Sequence, residues 1–155
     1  MSSKLSNDQP LRPHEISVIQ SRAIRNMIHM REKVLRSHDI ASPEWFVLSN
    51  INESGRKEGL RVGDIARALD VQSTYITGTL RQLTAKKLVQ LTIDQNDRRA
   101  RFVTLTQAGQ SLVRAVDTEL AKSLAEVVPS SDKMWQSYIE VLKRFAEISD
   151  KPTSI

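Results

Sequence analysis

Two short apolar periods stand back to back in the middle of this 155-residue chain. Val62, Ile65, Ala66 and Leu69 recur at helical spacing. After a break at Asp70-Val71-Gln72, with Ser73 as the cap of the second helix, so do Ile76, Leu80 and Leu83. Apolar residues at such intervals mark a helix with one buried face. Neither helix is long enough to be stable alone, and so short a break makes the second pack across the first. The pair reads as a helix-turn-helix. Downstream, Val89, Leu91 and Ile93 alternate with Gln90 and Thr92, the period of a half-buried strand. Phe102, Val103 and Leu105 suit a return strand, and between the two lies Asp94-Gln-Asn-Asp-Arg-Arg-Ala-Arg101, the polar tip of a hairpin. Helix, helix and hairpin in this order predict a winged helix-turn-helix. The expected class is mainly α with a small β component (α+β).

The flanks are helical. From His14 to Ser37, one stripe runs through Ile16, Ile19, Ala23, Met27, Met30 and Val34, and a second row, Ile24, Ile28 and Leu35, widens it. That is more apolar surface than one helix can cover by itself. Ser42-Pro43-Glu44 reads as a helix start with Ser42 as cap, and Trp45, Leu48 and Ile51 as its inward face. After Thr106-Gln-Ala-Gly109, a helix carries Leu112, Val113, Val116, Leu120, Leu124 and Val127 and ends before Pro129. Ser131 or Asp132 caps a last helix bearing Trp135, Tyr138, Ile139, Leu142, Phe145 and Ile148. The expected organisation is a flexible arm over 1–13, a helical region over 14–40 and 106–149, a winged lobe over 41–105 and a tail over 150–155.

Charge is concentrated in the winged segment. Residues 60–101 hold eight Lys and Arg against four Asp, a net +4 of the chain's +5. A basic face on a helix-turn-helix points to double-stranded DNA. With Ile76, Leu80 and Leu83 buried, the second helix exposes Ser73, Thr74, Thr77, Gly78 and Arg81, with Tyr75 at the flank. These are hydrogen-bonding groups of modest size, suited to base edges and phosphates. Arg81 fits a two-donor contact to guanine. The helix start, with Gln72 before it, offers backbone N–H groups to a phosphate. Gly78 costs a helix interior about 1 kcal/mol relative to alanine, so something is expected to approach it closely, either a base pair or a neighbouring helix. Arg98, Arg99 and Arg101 at the hairpin tip suit a minor groove. Asp97 is repelled by phosphate, and its expected part is to pair with an arginine and shape the tip.

Other classes of function find little footing. The chain has no cysteine, which excludes disulfides, thiolate zinc sites and cysteine redox sensing. His14, His29 and His38 are dispersed, so no metal site is expected. There is no glycine-rich phosphate loop and no nucleophile-elbow context; no catalytic residues and no cofactor are expected, and the chain does not read as an enzyme. No apolar run approaches a membrane span, and Met1–Pro13 has no apolar signal core, so a cytoplasmic protein without membrane partners is expected. Two alternatives stay open: a winged-helix module that binds protein, and a metal- or redox-gated sensor.

The motif strings go beyond periodicity. DIARALDVQSTYITGTLRQLTAKKLV resembles the helix-turn-helix of the MarR family of bacterial transcription regulators. DQNDRRARFVTLTQAG resembles its wing, an Asp-Arg-Arg core followed by a strand ending in Leu-Thr and then a glycine. SPEWFVLSNI is similar to the family's second helix. The resemblance covers Ser42–Gly109 and implies a homodimer in which the first and the last two helices pair across a two-fold axis. Ile16, Ile19, Ala23, Leu120, Leu124, Trp135, Ile139 and Leu142 are the interface residues that follow from it. It implies a repressor released by a small, phenolic or anionic effector. Trp45, with Arg22 and His29, is the position-based expectation for the effector pocket, and Arg99 is the wing residue expected in the groove. One departure is Lys87, where the family commonly has glycine. A lysine held in the left-handed conformation costs about 1–2 kcal/mol, which puts the helix end and the wing's angle in question.

Overall fold

The computed structural model describes residues 12–93, 101–127 and 132–147. The element order is α1 (Pro13–Ser37), α2 (Ser42–Ser54), β1 (Leu60–Arg61), α3 (Val62–Ala68), α4 (Ser73–Ala85), β2 (Val89–Ile93), β3 (Arg101–Leu105), α5 (Gln107–Val127) and α6 (Asp132–Ala146). The chain divides into two compact units, Met1–Leu120 and Ala121–Ile155.

In the first unit, the predicted stripes meet in one core. Leu35, Leu48, Ile65, Ile76, Leu83 and Val103 are fully buried and come from α1, α2, α3, α4 and β3. The sheet is antiparallel in the order β1-β3-β2, with Leu91 opposite Val103 and Ile93 opposite Arg101. This is the expected hairpin plus a strand that the alternation did not show, since β1 is only two residues long. Arg101 lies in the strand ladder rather than in the tip. Of α1, only Val34 and Leu35 are buried; Val18, Ile19, Ile24, Met27 and Ile28 remain exposed. The second unit holds α6, where Trp135 meets Tyr138 edge-on at 6.0 Å, and Tyr138, Ile139, Val141, Leu142 and Phe145 are exposed.

Two expected caps are displaced by one residue. Ala41 is the N-cap of α2, and Ser42 is its first helical residue. The N–H of Ala41 donates to the Glu44 carboxylate at 2.9 Å, so a side chain from inside the helix does the capping. The Ser42 hydroxyl instead donates to Glu32 and accepts from Arg31 Nε at 3.2 Å. Likewise Gln72, not Ser73, caps α4, with no side-chain bond at that end. Thr106 caps α5: its hydroxyl accepts from Gly109 N–H at 3.0 Å.

The exits of α1, α3 and α4 share one geometry. Asp39, Asp70 and Lys87 have φ of 55°, 52° and 59°. The next amide in each case reaches back to the fourth-last carbonyl of the turn: Ile40 to Leu35 (3.1 Å), Val71 to Ala66 (3.0 Å) and Leu88 to Leu83 (2.9 Å). These are Schellman closures, normally built on glycine. The doubt raised by Lys87 is therefore answered: α4 ends as it would with glycine, and lysine carries the strain. Lys87→Gly should raise stability by about 1 kcal/mol, net of glycine's greater unfolded-state freedom, which is about 2–4 °C in Tm for a chain of this size. Thermal unfolding by circular dichroism checks it, and an unchanged or lower Tm would contradict it.

Candidate nucleic-acid interface

The exposed face of α4 is set by what the opposite face buries. Ile76, Thr79, Leu80 and Leu83 point into the core. Gln72, Ser73, Thr74, Tyr75, Thr77, Gly78 and Arg81 are all exposed. The Thr77 hydroxyl donates to the Ser73 carbonyl at 2.9 Å and Thr79 to the Tyr75 carbonyl at 3.1 Å. Each threonine is thereby fixed in rotamer, and Thr77 still presents acceptor lone pairs outward. A methyl group at Gly78 would meet nothing within 4 Å. Among the described residues, no neighbouring helix accounts for this glycine.

Beside α4 lies an open cleft of about 1040 Å³. Its walls come from three directions: Arg81 and Thr77 from α4, Asp64 and Arg67 from α3, and Arg61 and Arg101 from the sheet. Among the described residues its lining holds four arginines and one aspartate, a positive balance. The Arg61 guanidinium carbon lies 5.4 Å from the centroid of the Phe102 ring, a cation–π contact that restrains the side chain. Arg67 Nη1 sits 3.0 Å from Asp64 Oδ1, with the arginine side chain 80% exposed, so water screens the pair. Arg61 and Arg67 were not singled out from the sequence. The only signal there was the charge excess of residues 60–101, which does not say which cations converge.

The frame of this face is set at two points. Glu44, buried on α2, holds Lys86 Nζ at 3.0 Å, and the same ammonium donates to the Asp39 carbonyl at 2.6 Å. The end of α4 is thus tied to the α1–α2 corner. At the base of the hairpin, Thr106 N–H donates to the Leu88 carbonyl at 3.0 Å and its hydroxyl to the Lys87 carbonyl at 2.8 Å. Gly109 lets α5 come against the backbone just before β2: an added Cβ would lie 2.1 Å from the Leu88 oxygen. The Leu-Thr-x-x-Gly string at 105–109 is therefore a physical joint between wing and helix.

The remaining expected residues are scattered. Asp97, Arg98 and Arg99 lie outside the described residues, and Arg101 opens β3. Trp45 is half-buried, tilted on Phe46 at 5.0 Å, with Nε1 3.4 Å from Asp117 Oδ1; Arg31 covers the Phe46 ring at 5.0 Å. Arg22 and His29 are exposed on α1. His38 pairs with Glu119 at 2.9 Å, a contact with no sequence signal. Ile19, Ala23, Ile139 and Leu142 are exposed and Ile16, Leu124 and Trp135 half-buried, whereas Leu120 belongs to the core of the first unit. Among the described residues, no three His, Cys, Asp or Glu gather as metal ligands, and no helix is long and apolar enough to cross a membrane.

Residues 38–100 match the family model described as the MarR family. Over 86 residues the chain is 30% identical to the transcriptional activatory protein BadR of Rhodopseudomonas palustris; the match covers 55% of this chain and spans about half (49%) of that protein. The fold is that of CouR from Rhodococcus jostii RHA1, solved with p-coumaroyl-CoA (TM-score 0.73, 21% identity, 96% of this chain and 98% of that one). It is also that of MepR from Staphylococcus aureus, solved with DNA (TM-score 0.66, 23% identity, 88% and 98%).

Proposed function

We propose that this chain, whose residues 38–100 match the model of the MarR family, is a homodimeric repressor of that family that binds a pseudo-palindromic DNA operator. The observation that carries the reading is the exposed face of α4, where hydrogen-bonding side chains and Arg81 stand beside an arginine-lined cleft. Each subunit offers α4 to a major groove, and the two half-sites are separated by about 34–36 Å. Arg81 reads a base, Thr74, Thr77 and Ser73 contact base edges or phosphate, and Arg99 enters the adjoining minor groove. MepR has been solved with DNA on the same fold, which supports this placement.

Dimerisation is supported by the apolar faces of α1 and α6, each exposed in the single chain; contiguous apolar surface of this kind marks a protein interface. Sedimentation at micromolar concentration should give twice the chain mass. An effector of phenolic or anionic character would release the operator by binding one separation of the lobes better than another; CouR's p-coumaroyl-CoA complex is the nearest support. The sign of regulation follows from where the operator lies relative to the promoter, and BadR is named as an activatory protein. A reporter with the operator overlapping its promoter tests repression directly.

The decisive experiment selects bound duplexes from a random pool and repeats the binding with Arg81→Ala and Arg99→Ala. Arg81→Ala should lose about 1–3 kcal/mol of discrimination at one base pair. Arg99→Ala should weaken binding most where the minor groove is narrow and A·T-rich. If neither variant weakens binding, the reading is wrong.

A further inference from the structure

We propose that the cleft between α4 and the sheet grips the DNA strand that separates the two grooves, with Arg61 and Arg67 as its phosphate clamps. The inference rests on the DNA-binding reading above and adds two residues that belong to neither the recognition helix nor the wing tip.

The geometry of a duplex makes the demand. A protein that lays a helix in the major groove and a hairpin on the adjoining minor groove must let one sugar-phosphate strand pass between the two. The space between α4 and the base of the hairpin is this cleft, lined on one side by Thr77 and Arg81 and on the other by Arg61 and Arg101. Its chemistry suits the strand. Val62, Leu80 and Leu91 also line it, and apolar surface of that kind can lie against deoxyribose. The arginines of the walls can meet phosphate oxygens through paired donors. Arg61 is restrained by its contact with the Phe102 ring, so less freedom is lost when it binds. Arg67 enters from α3, where Asp64 is its exposed partner. Asp64 is the one carboxylate among the described residues of the cleft and opposes a phosphate there, so it weakens the grip.

Phosphate contacts carry no base information, and this separates the clamps from Arg81. The test uses the full chain and measures fluorescence anisotropy against two duplexes of equal length, the selected operator and a random sequence, over a series of salt concentrations. Arg61→Gln and Arg67→Gln should each weaken both duplexes by the same factor. Each should also flatten the slope of log K against log salt by about 0.9 per subunit, or about 1.8 for a dimer. Asp64→Asn should strengthen binding to both duplexes, a gain that misfolding cannot produce. Unchanged slopes in both arginine variants, or a loss with Asp64→Asn, would overturn the proposal. So would loss of the operator-to-random ratio in the arginine variants, which would make them base readers. If millimolar inorganic phosphate displaces DNA from the wild type but not from Arg61→Gln, the cleft is a small-anion site and the proposal also fails. If Arg81→Ala loses discrimination while the clamp variants bind normally, only the clamp is wrong; if Arg81→Ala is silent too, the DNA-binding reading has failed.

Discussion

Gly109→Ala should destabilise the protein by about 3 kcal/mol, at the upper end of what one added methyl group costs in a packed interior. The reason is the nature of the obstacle. The new Cβ would lie 2.1 Å from the Leu88 carbonyl oxygen and 3.1 Å from its carbon. Both are backbone atoms, so no rotamer change relieves the clash. The start of α5 must move off the Leu88 backbone, and the Thr106 N–H bond to the same carbonyl must lengthen or break. Because that joint sets the base of the wing, DNA affinity should fall even at temperatures where the variant is folded. Gly78→Ala is the matched contrast. Its methyl meets nothing within 4 Å, so it should gain about 1 kcal/mol of helix stability while losing affinity, if DNA comes close to that face. Urea unfolding of both variants decides the matter. Equal stabilities would refute the account of Gly109.

The second large effect is expected at Glu44, a residue 3% exposed whose carboxylate accepts from both Ala41 N–H and Lys86 Nζ. Breaking a buried ion pair by deleting one partner costs about 3–5 kcal/mol, because the other charge is stranded. Lys86 keeps 34% of its side chain in water and has the Asp39 carbonyl as a second partner. Glu44→Ala should therefore cost somewhat less, about 2–3 kcal/mol. Glu44→Gln retains an acceptor for Ala41 and should lose less. Replacing both charges, in Glu44→Leu with Lys86→Met, should recover much of the loss, because an apolar pair leaves no orphaned charge. A double-mutant cycle measured by denaturant unfolding gives the coupling directly. Additive losses would show that Glu44 and Lys86 do not act as a pair.

Much of the architecture was legible in the chain because it is written as period. Ile76, Leu80 and Leu83 fixed which way α4 faces, and that alone put Thr77, Gly78 and Arg81 outside. The alternation at Val89–Ile93 found the hairpin. What periodicity missed has physical causes. A two-residue strand has no alternation to detect, so β1 and the orientation of Arg61 were invisible. The caps of α2 and α4 were misplaced because residue preference named Ser42 and Ser73, whereas Glu44 caps α2 from within, and no side-chain bond caps α4. Lys87 looked like a reason for the helix to end otherwise, but local strain gave way to the tertiary position of Leu88. The convergence of Arg61, Arg67, Arg81 and Arg101 joins four elements, and no single stretch of sequence contains it.

The joint at the foot of the hairpin bears on how such a chain can change in length. Register is pinned at the end where Val89 faces Leu105 and Thr106 holds the carbonyls of Lys87 and Leu88. Residues added or removed between Ile93 and Arg101 in pairing steps would leave the ladder below them in phase and α4 in its seat. On the proposed placement of α4 and the hairpin, the two grooves of an operator could then be re-matched separately: helix substitutions would alter one, and insertions in the hairpin the other, with no need for one kind of change to wait upon the other.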